Sequence, residues 1–422
     1  MSMKVLHLSF SDSGGGASVA CNRLHQGLKN IGLSSKILVQ SKQSDSTDVI
    51  HPDSKLQKLF SKLRPPISKL PLNLYPQRKE TEYSINWIPD RVISNIYKFT
   101  PDVINLHWIC GGFLQIETLA KLDIPIVWTL HDMWSFTGGC HYSDACDRYT
   151  QSCGVCPQLN SYSELDISRL QWFRKHKYWN KIDFILVSPS HWLANCAASS
   201  SLFRNSRIEV IPNGINTNLY QPVDKTFARR MLNLPQDRKL ILFGAMRATS
   251  DYRKGFHLLK PALQNLSKLG WKDKLDIVIF GSSEPSEAID FGLKSHYLGV
   301  LKDDISLAIV YSAVDAFIAP SLQDNLPNTV LEALACGIPC VAFDVGGMPD
   351  MIEHRKNGFL ANPYNIDDFS NGINWVLEND ERHHKLRDNA RQKVLKCFTS
   401  DKQVSKYLSL YEDILKKHIA GA

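Results

Sequence analysis

Short apolar runs alternate with longer amphipathic stretches along this chain, and the alternation predicts strands joined by helices. In the first half Lys4–Ser9, Ser34–Gln40, Pro101–Trp108, Ile124–Leu130, Ile182–Ser188 and Ile208–Pro212 read as strands. Ala17–Gly32 reads as a helix, with Val19, Leu24 and Leu28 near helical spacing. The second half repeats the plan. Leu240–Gly244, Leu275–Gly281, Tyr297–Leu301, Ala316–Ala319 and Ile338–Phe343 are its strands, and Phe256–Leu269, Asp367–Asn379 and Glu381–Lys396 are helices. A last amphipathic helix, Lys402–His418, carries Val404, Leu408, Leu410, Tyr411, Ile414 and Leu415. Ser41–Pro89 reads as a long irregular insert.

The stretch Pro320–Asp350 concentrates the candidate chemistry. A polar loop, Ser321–Leu326, runs into a helix opened by Pro327, whose missing N–H costs nothing at a first helical position. Gly337 suits its stop. The unpaired N–H groups and partial positive charge at such a helix start make a phosphate site. Asp324 lies in the loop and Glu332 eight positions later, about one turn into the helix. Both can face one cavity; taken alone, they also fit a helix cap and a solvated helix residue.

Three further places carry chemistry. Ser11–Gly16 is a glycine turn between strand and helix, a geometry that lets backbone N–H groups approach a diphosphate, although the spacing is not the dinucleotide fingerprint. His131 ends the strand Ile124–Leu130, and the carboxyl end of a parallel strand opens on the cleft of an α/β sheet. His107 either lines the same cleft or sits in the core. Arg247, Arg253 and Lys254 form a basic loop ahead of a helix.

These residues together resemble the family 4 retaining glycosyltransferases of the GT-B fold. The family's Glu-x(7)-Glu, A-x-A-x-G-x-P and VGG appear here as Asp324-x(7)-Glu332, Ala333-Leu334-Ala335-Cys336-Gly337-Ile338-Pro339 and Val345-Gly346-Gly347, with Asp324 replacing the first Glu. Pro212-Asn213-Gly214-Ile215-Asn216 is similar to the family's interdomain linker, and the Arg247…Lys254-Gly255 cluster to its donor-phosphate site. The resemblance implies two Rossmann-like α/β domains facing across a cleft. Residues 1–214 would bind the acceptor, 215–398 the nucleotide sugar, and 399–422 would form a helix crossing back to the first domain. It implies transfer of a hexosyl group, with retention, from a nucleoside diphosphate sugar to a hydroxyl of a glycan or lipid-linked glycan in polysaccharide biosynthesis. Lys254, Arg247, the backbone of Gly14 and Gly15 and the helix start at Asn328 and Thr329 would take the diphosphate. Asp324, the backbone of Asn325 and Leu326, and His131 would orient the sugar. Glu332 would meet the ribose, and Gly299 and Leu301 the nucleobase. No Asp-x-Asp stands at a strand end, so catalysis is expected to need no divalent metal or other cofactor. A nucleotide-sugar epimerase and a non-catalytic sugar-nucleotide sensor are the other classes left open.

Composition sets the frame. A chain of 422 residues is too long for one ordinary core. A net charge of +7 fits an anionic small ligand or a membrane surface and does not call for nucleic acid. The start, MSMKVLHLSFSDSGGG, does not read as a signal peptide, and no apolar run is long enough to span a bilayer. With ten cysteines and no secretory signal, a reducing, cytoplasmic setting is expected. Cys140, Cys146, Cys153 and Cys156 lie in a segment (140–156) whose last pair has metal-knuckle spacing. Four thiolates can close a structural zinc site; a disulfide or simple packing are the alternatives. In the insert (41–89), Lys55, Lys58, Lys62, Arg64, Lys69, Arg78 and Lys79 are unbroken by an acid, with Leu56, Leu59, Phe60 and Leu63 at helical spacing. Such a segment either lies on an anionic inner leaflet as a peripheral contact or packs as a lid.

Overall fold

The computed structural model describes residues 3–51, 55–244, 251–284, 289–301 and 303–421, with backbone alone at 55–59 and 421. The chain separates into two compact units, Met1–Pro212 with Gln403–Ala422, and Asn213–Lys402.

The first unit is built on a seven-stranded parallel sheet of order β3-β2-β1-β4-β5-β6-β7. Its strands are β1 (Lys4–Ser11), β2 (Ser34–Ser41), β3 (Val49–Ile50), β4 (Val103–Leu106), β5 (Ile126–Thr129), β6 (Ile185–Ser188) and β7 (Arg207–Val210). Successive side chains leave opposite faces, and both faces are covered, which is why these strands read as apolar runs rather than alternating ones. Leu6, Leu8, Ile104, Leu106, Trp128 and Leu186 enter one core with Trp179, Phe184 and Phe203. Val5, Val103, Val127 and Val187 turn the other way, against Leu24 and Leu28 of α1 (Gly16–Asn30) and Val404, Tyr407 and Tyr411 of the final helix.

That second face holds a buried polar seam, because His7, Asn105, His107 and Thr129 occupy the positions between its valines. Asn105 donates to the Tyr411 hydroxyl at 2.8 Å, and the Thr129 and Tyr407 hydroxyls meet at 2.8 Å. Buried polar groups need such partners, so the final helix is tied to the sheet by hydroxyls as well as by apolar packing.

The insert is more regular than its sequence suggests. It adds β3 at the sheet edge and folds into α2 (Lys55–Ser68) and a 3₁₀ turn, Leu70–Leu74. Arg64 pins α2, donating to the carbonyls of Gly112 at 2.6 Å, Pro89 at 2.8 Å and Ile88 at 3.2 Å.

The second unit is a six-stranded parallel sheet of order β10-β9-β8-β11-β12-β13. The strands are β8 (Lys239–Gly244), β9 (Leu275–Phe280), β10 (Lys294–Tyr297), β11 (Ala316–Ala319), β12 (Cys340–Phe343) and β13 (Gly358–Ala361). Three expectations shift. The strand expected at Tyr297–Leu301 ends at Tyr297, since the chain turns away through Gly299 at φ +68°. The helix expected to reach Leu269 is α-helical only over Phe256–Leu266, and Gly270 at φ +89° breaks the turn that follows. Pro327, with extended ψ of 124°, caps the next helix from outside rather than opening it, so the helix runs Asn328–Ala335.

Asp315 anchors the amino edge of this sheet. Its buried carboxylate accepts from Arg229 at 2.9 Å, from the backbone of Leu240 at 2.7 Å and from Lys225. Burial opposes its charge, yet Lys225 and Arg229 hold its carboxyl below the ordinary range. Asp315→Ala is expected to cost about 3–5 kcal/mol, because Arg229 would stay buried without its anion. Thermal unfolding followed by circular dichroism measures this; an unchanged midpoint would mean that the ion cluster contributes no net stability.

Candidate functional site

In open parallel sheets ligands bind beyond the carboxyl ends of the strands, where the strand order reverses. In the second unit that point lies between β8 and β11. Three loops close on it, and glycines set their approach. A Cβ on Gly255 (φ +73°) would lie 1.8 Å from the Pro320 carbonyl oxygen, and one on Gly346 (φ +57°) 2.0 Å from that of Asp324. Backbone hydrogen bonds lace the same loops, Leu322 N to Arg253 O at 2.8 Å and Gly347 N to Asp324 O at 3.0 Å.

Asp324 is at the centre. Its carboxylate receives Lys254 Nζ at 2.7 Å and lies 3.2 Å from Arg253 Nη1, which also donates to the Gln323 carbonyl at 2.8 Å. The Asn325 backbone N–H donates to Asp324 at 3.0 Å. Asp324 is 6% exposed, and burial alone would raise its pKa. Lys254 and then Arg253 outweigh that and hold the carboxyl at about 2. The group is therefore a fixed anion carrying two fixed cations.

The other residues named for this unit divide. Asn325 and Leu326 are buried in the same loop, and Asn328 and Thr329 open the helix that follows. Glu332 is buried in that helix and accepts from the Tyr311 hydroxyl at 3.0 Å. Burial, then the charge of Glu332, pushes the Tyr311 phenol well up, so it remains a donor. Gly299 and Leu301 follow β10, which is separated from β8 by β9, and among the described residues Gly299 has nothing within 4 Å of where a Cβ would be. Arg247 lies outside the described residues.

In the first unit Gly14 takes φ +78° and Gly15 caps α1, which has neither a side-chain cap nor an acid in its first turn. Asp12 shapes this loop by accepting from the backbones of Gln43 at 2.8 Å and Ser44 at 2.9 Å. His131, half-buried just beyond β5, lines a pocket with His107, Trp108 and Asp132. Its Nε2 is 2.9 Å from His107 Nδ1, and His107 Nε2 is 3.1 Å from His7 Nδ1. Asp132 accepts from His141 at 2.6 Å, Trp108 Nε1 at 3.0 Å and the Trp134 backbone at 2.9 Å.

Cys140, Cys146, Cys153 and Cys156 surround one pocket together with Tyr83 and Tyr149, and all are free thiols. The backbone at Cys153, Gly154 and Val155 is left-handed throughout, with φ of +55°, +87° and +46°. The Gly138 N–H points at Cys153 Sγ, 3.1 Å away. Burial pushes the Cys153 thiol up to about 12. Among the described residues, the one set of three or more ligating side chains with donor atoms within 4.8 Å of one another is His7, Cys21 and His107, so the four thiols stand wider apart than that.

Sequence reasoning missed Tyr311, Asp132 and His7. Each is recognised only through a partner 9 to 100 positions away, Glu332, His141 and His107 respectively, and none of these pairs is set by local geometry. A tyrosine in an apolar helix or a histidine within a strand carries no local mark of such a partner.

Comparison with known proteins places this geometry. Two sequence profiles match, "Glycosyltransferase Family 4" over residues 14–219 and "Glycosyl transferases group 1" over residues 224–393. The chain is 27% identical over 257 residues to the putative colanic acid biosynthesis glycosyl transferase WcaC of Escherichia coli, covering 57% of this chain and 60% of that protein. It is 29% identical over 249 residues to the N,N'-diacetylbacillosaminyl-diphospho-undecaprenol alpha-1,3-N-acetylgalactosaminyltransferase of Campylobacter jejuni, covering 57% of this chain and 62% of that protein. The matched stretches thus span about three-fifths of these relatives. Among solved structures, sucrose-phosphate synthase from Thermosynechococcus elongatus superposes with a TM-score of 0.71 over 98% of this chain and 100% of that one, at 18% identity. With two parallel-sheet Rossmann-like domains and both profiles matched, the chain belongs to the family 4 glycosyltransferases of the GT-B fold.

Proposed function

We propose that this protein transfers a hexosyl group, with retention at the anomeric carbon, from a nucleoside diphosphate sugar to a hydroxyl of a lipid-linked glycan during polysaccharide assembly. The observation that carries the reading is the cluster of Lys254, Arg253 and Asp324 at the switch point of the unit matched by the group 1 profile. The Campylobacter relative is named for an acceptor on diphospho-undecaprenol, which supports the lipid-linked acceptor. In this reading the departing diphosphate gathers charge where Lys254 and Arg253 are already fixed, with Arg247 and the N–H groups of Asn328 and Thr329 assisting. Charge that is preorganised needs no reorientation during the reaction. The arriving diphosphate competes with Asp324 for Lys254 and releases the carboxylate to the sugar hydroxyls. Glu332, oriented by Tyr311, receives the ribose; Gly299 and Leu301 border the base; Gly14 and Gly15 offer backbone N–H groups to phosphate. Side-chain cations take the role of a divalent metal.

Lys254→Ala is expected to lower turnover by on the order of a hundredfold, the size of losing one preorganised electrostatic contact. Glu332→Gln should mainly weaken donor binding, through loss of a charge-assisted hydrogen bond. Asp324→Asn should depress the chemical step. Steady-state kinetics with chelator present, and the anomeric configuration of the product by NMR, measure all of this. Inversion, or dependence on added divalent metal, would overturn the mechanism.

The peripheral membrane contact rests on α2. Phe60 (63% exposed), Leu63 and Ile67 are exposed on that helix, followed by Leu70 and Leu74 (78% exposed). Lys62 and Lys69 flank them; the side chains of Lys55, Leu56, Lys58 and Leu59 lie outside the described residues. No helix among the described residues is long and apolar enough to cross a membrane. Each cation near an anionic surface contributes about 1 kcal/mol, and shallow insertion of the apolar residues adds to it. Sedimentation with vesicles should require anionic lipid, fall at high salt, and fall again when Lys55, Lys58 and Lys62 become Glu. Indifference to anionic vesicles at low salt would make this helix a lid.

The cysteine pocket is proposed to take structural zinc. Tetrahedral Zn–S bonds of about 2.3 Å require sulfurs roughly 3.8 Å apart, so binding must draw the four thiols inward. Elemental analysis of protein purified without added metal should give about one zinc per chain, and chelation should lower the melting temperature. Four titratable thiols with no metal and unchanged stability would leave the cysteines as packing residues.

A further inference from the structure

We propose that His107, backed by His7, is a positioning residue that locks His131 in its Nδ1–H tautomer, so that His131 meets its ligand as a hydrogen-bond donor and not as a base. The inference rests on the reading that His131 attends the donor sugar, and it adds what the ring can do there.

Three imidazoles form a row, His7 Nδ1 to His107 Nε2 at 3.1 Å and His107 Nδ1 to His131 Nε2 at 2.9 Å. The His107 and His131 rings are near-parallel, with centroids 5.2 Å apart. All three rings are neutral at pH 7: burial holds His7 and His107 well below the ordinary imidazole value and His131 at about 4. A neutral imidazole has one N–H and one bare nitrogen. His107 uses both its nitrogens in the row, so it accepts on one side and donates on the other. Both hydrogen bonds therefore run in the same direction.

The far end chooses that direction. His7 is fully buried, and its Nε2 has no hydrogen-bond partner among the described residues. If the row ran from His131 toward His7, the last proton would sit on that Nε2 as a buried donor with nothing to receive it. If it runs from His7 toward His131, Nε2 is a bare lone pair. Buried N–H groups without acceptors are the rarer and costlier defect. With this sense fixed, His7 donates from Nδ1 to His107, and His107 from Nδ1 to His131. His131 then keeps its own proton on Nδ1, while its Nε2 lone pair is committed. No acceptor site is left on the ring to take a proton from an incoming hydroxyl.

The test uses the full chain with imidazole nitrogens labelled with ¹⁵N, studied by two-bond ¹H–¹⁵N correlation at pH 7 and assigned with single His→Leu variants. His7, His107 and His131 are expected to show the Nδ1–H pattern, the minor form of histidine in water. His107→Leu should return His131 toward the Nε2–H form. His107→Asn, whose amide nitrogen stands close to where Nδ1 was, should restore Nδ1–H. An Nε2–H pattern at His131 in the wild type overturns the proposal, as does a stoichiometric metal ion bound by His7, Cys21 and His107. Because the spectrum is taken without donor, it stands or falls apart from transfer. If the tautomer is as expected but His131→Gln turns over normally, it is the placing of His131 at the sugar that fails.

Discussion

A strand in a parallel sheet covered on both faces has no solvent-facing side on which to carry chemistry. Every position along it is spent on one core or the other, as Leu6 and Leu8 on one side and Val5 on the other illustrate. Function is pushed to the carboxyl ends, and within those to the gap where strand order reverses. The consequences follow in the second unit. The chain leaving β11 must turn at once, stay close to the loop after β8, and still enter a helix. Gly255 and Gly346 permit that approach, since each would place a Cβ about 2 Å from a carbonyl oxygen.

Charge is then arranged by position along the sheet. At the amino edge Asp315 is enclosed by Lys225, Arg229 and backbone, away from the switch point. At the carboxyl edge Asp324 is enclosed by Lys254 and Arg253 in nearly the same way. The chemistry of the two clusters is alike; their place in the sheet separates a structural ion cluster from a candidate site. The ion pair at Asp324 also keeps two cations fixed in place, an arrangement suited to stabilising negative charge.

The first unit handles polarity differently. Its buried seam contains no acid, and apart from His7 Nε2 its polar groups meet one another: Asn105 with Tyr411, Thr129 with Tyr407, His107 with its neighbours. Such pairing makes the seam specific. The final helix can seat its tyrosines in one register only without stranding a hydroxyl.

The alternation of elements, the glycine turn at Gly14, the basic loop at Lys254 and the Asp324–Glu332 spacing were all legible in the sequence, because each depends on residues near one another in the chain. Local constraints such as a helix stop at Gly337 (φ +71°) leave local signatures. Boundaries set by backbone geometry rather than composition were less legible, which is why β10 ends before Gly299 and the helix begins after Pro327. The insert was legible only in part: helical spacing marks α2, but its anchoring comes from Arg64 reaching carbonyls at Ile88, Pro89 and Gly112, and a basic residue in a basic run does not announce that role. What only the tertiary structure decided is partnership. That Asp324 holds Lys254, Glu332 holds Tyr311 and His131 ends a row begun at His7 depends on strand order, which brings together residues 21 to 100 positions apart. A sequence records which side chains are present, but the meeting of two side chains across a sheet is set by how the whole chain packs.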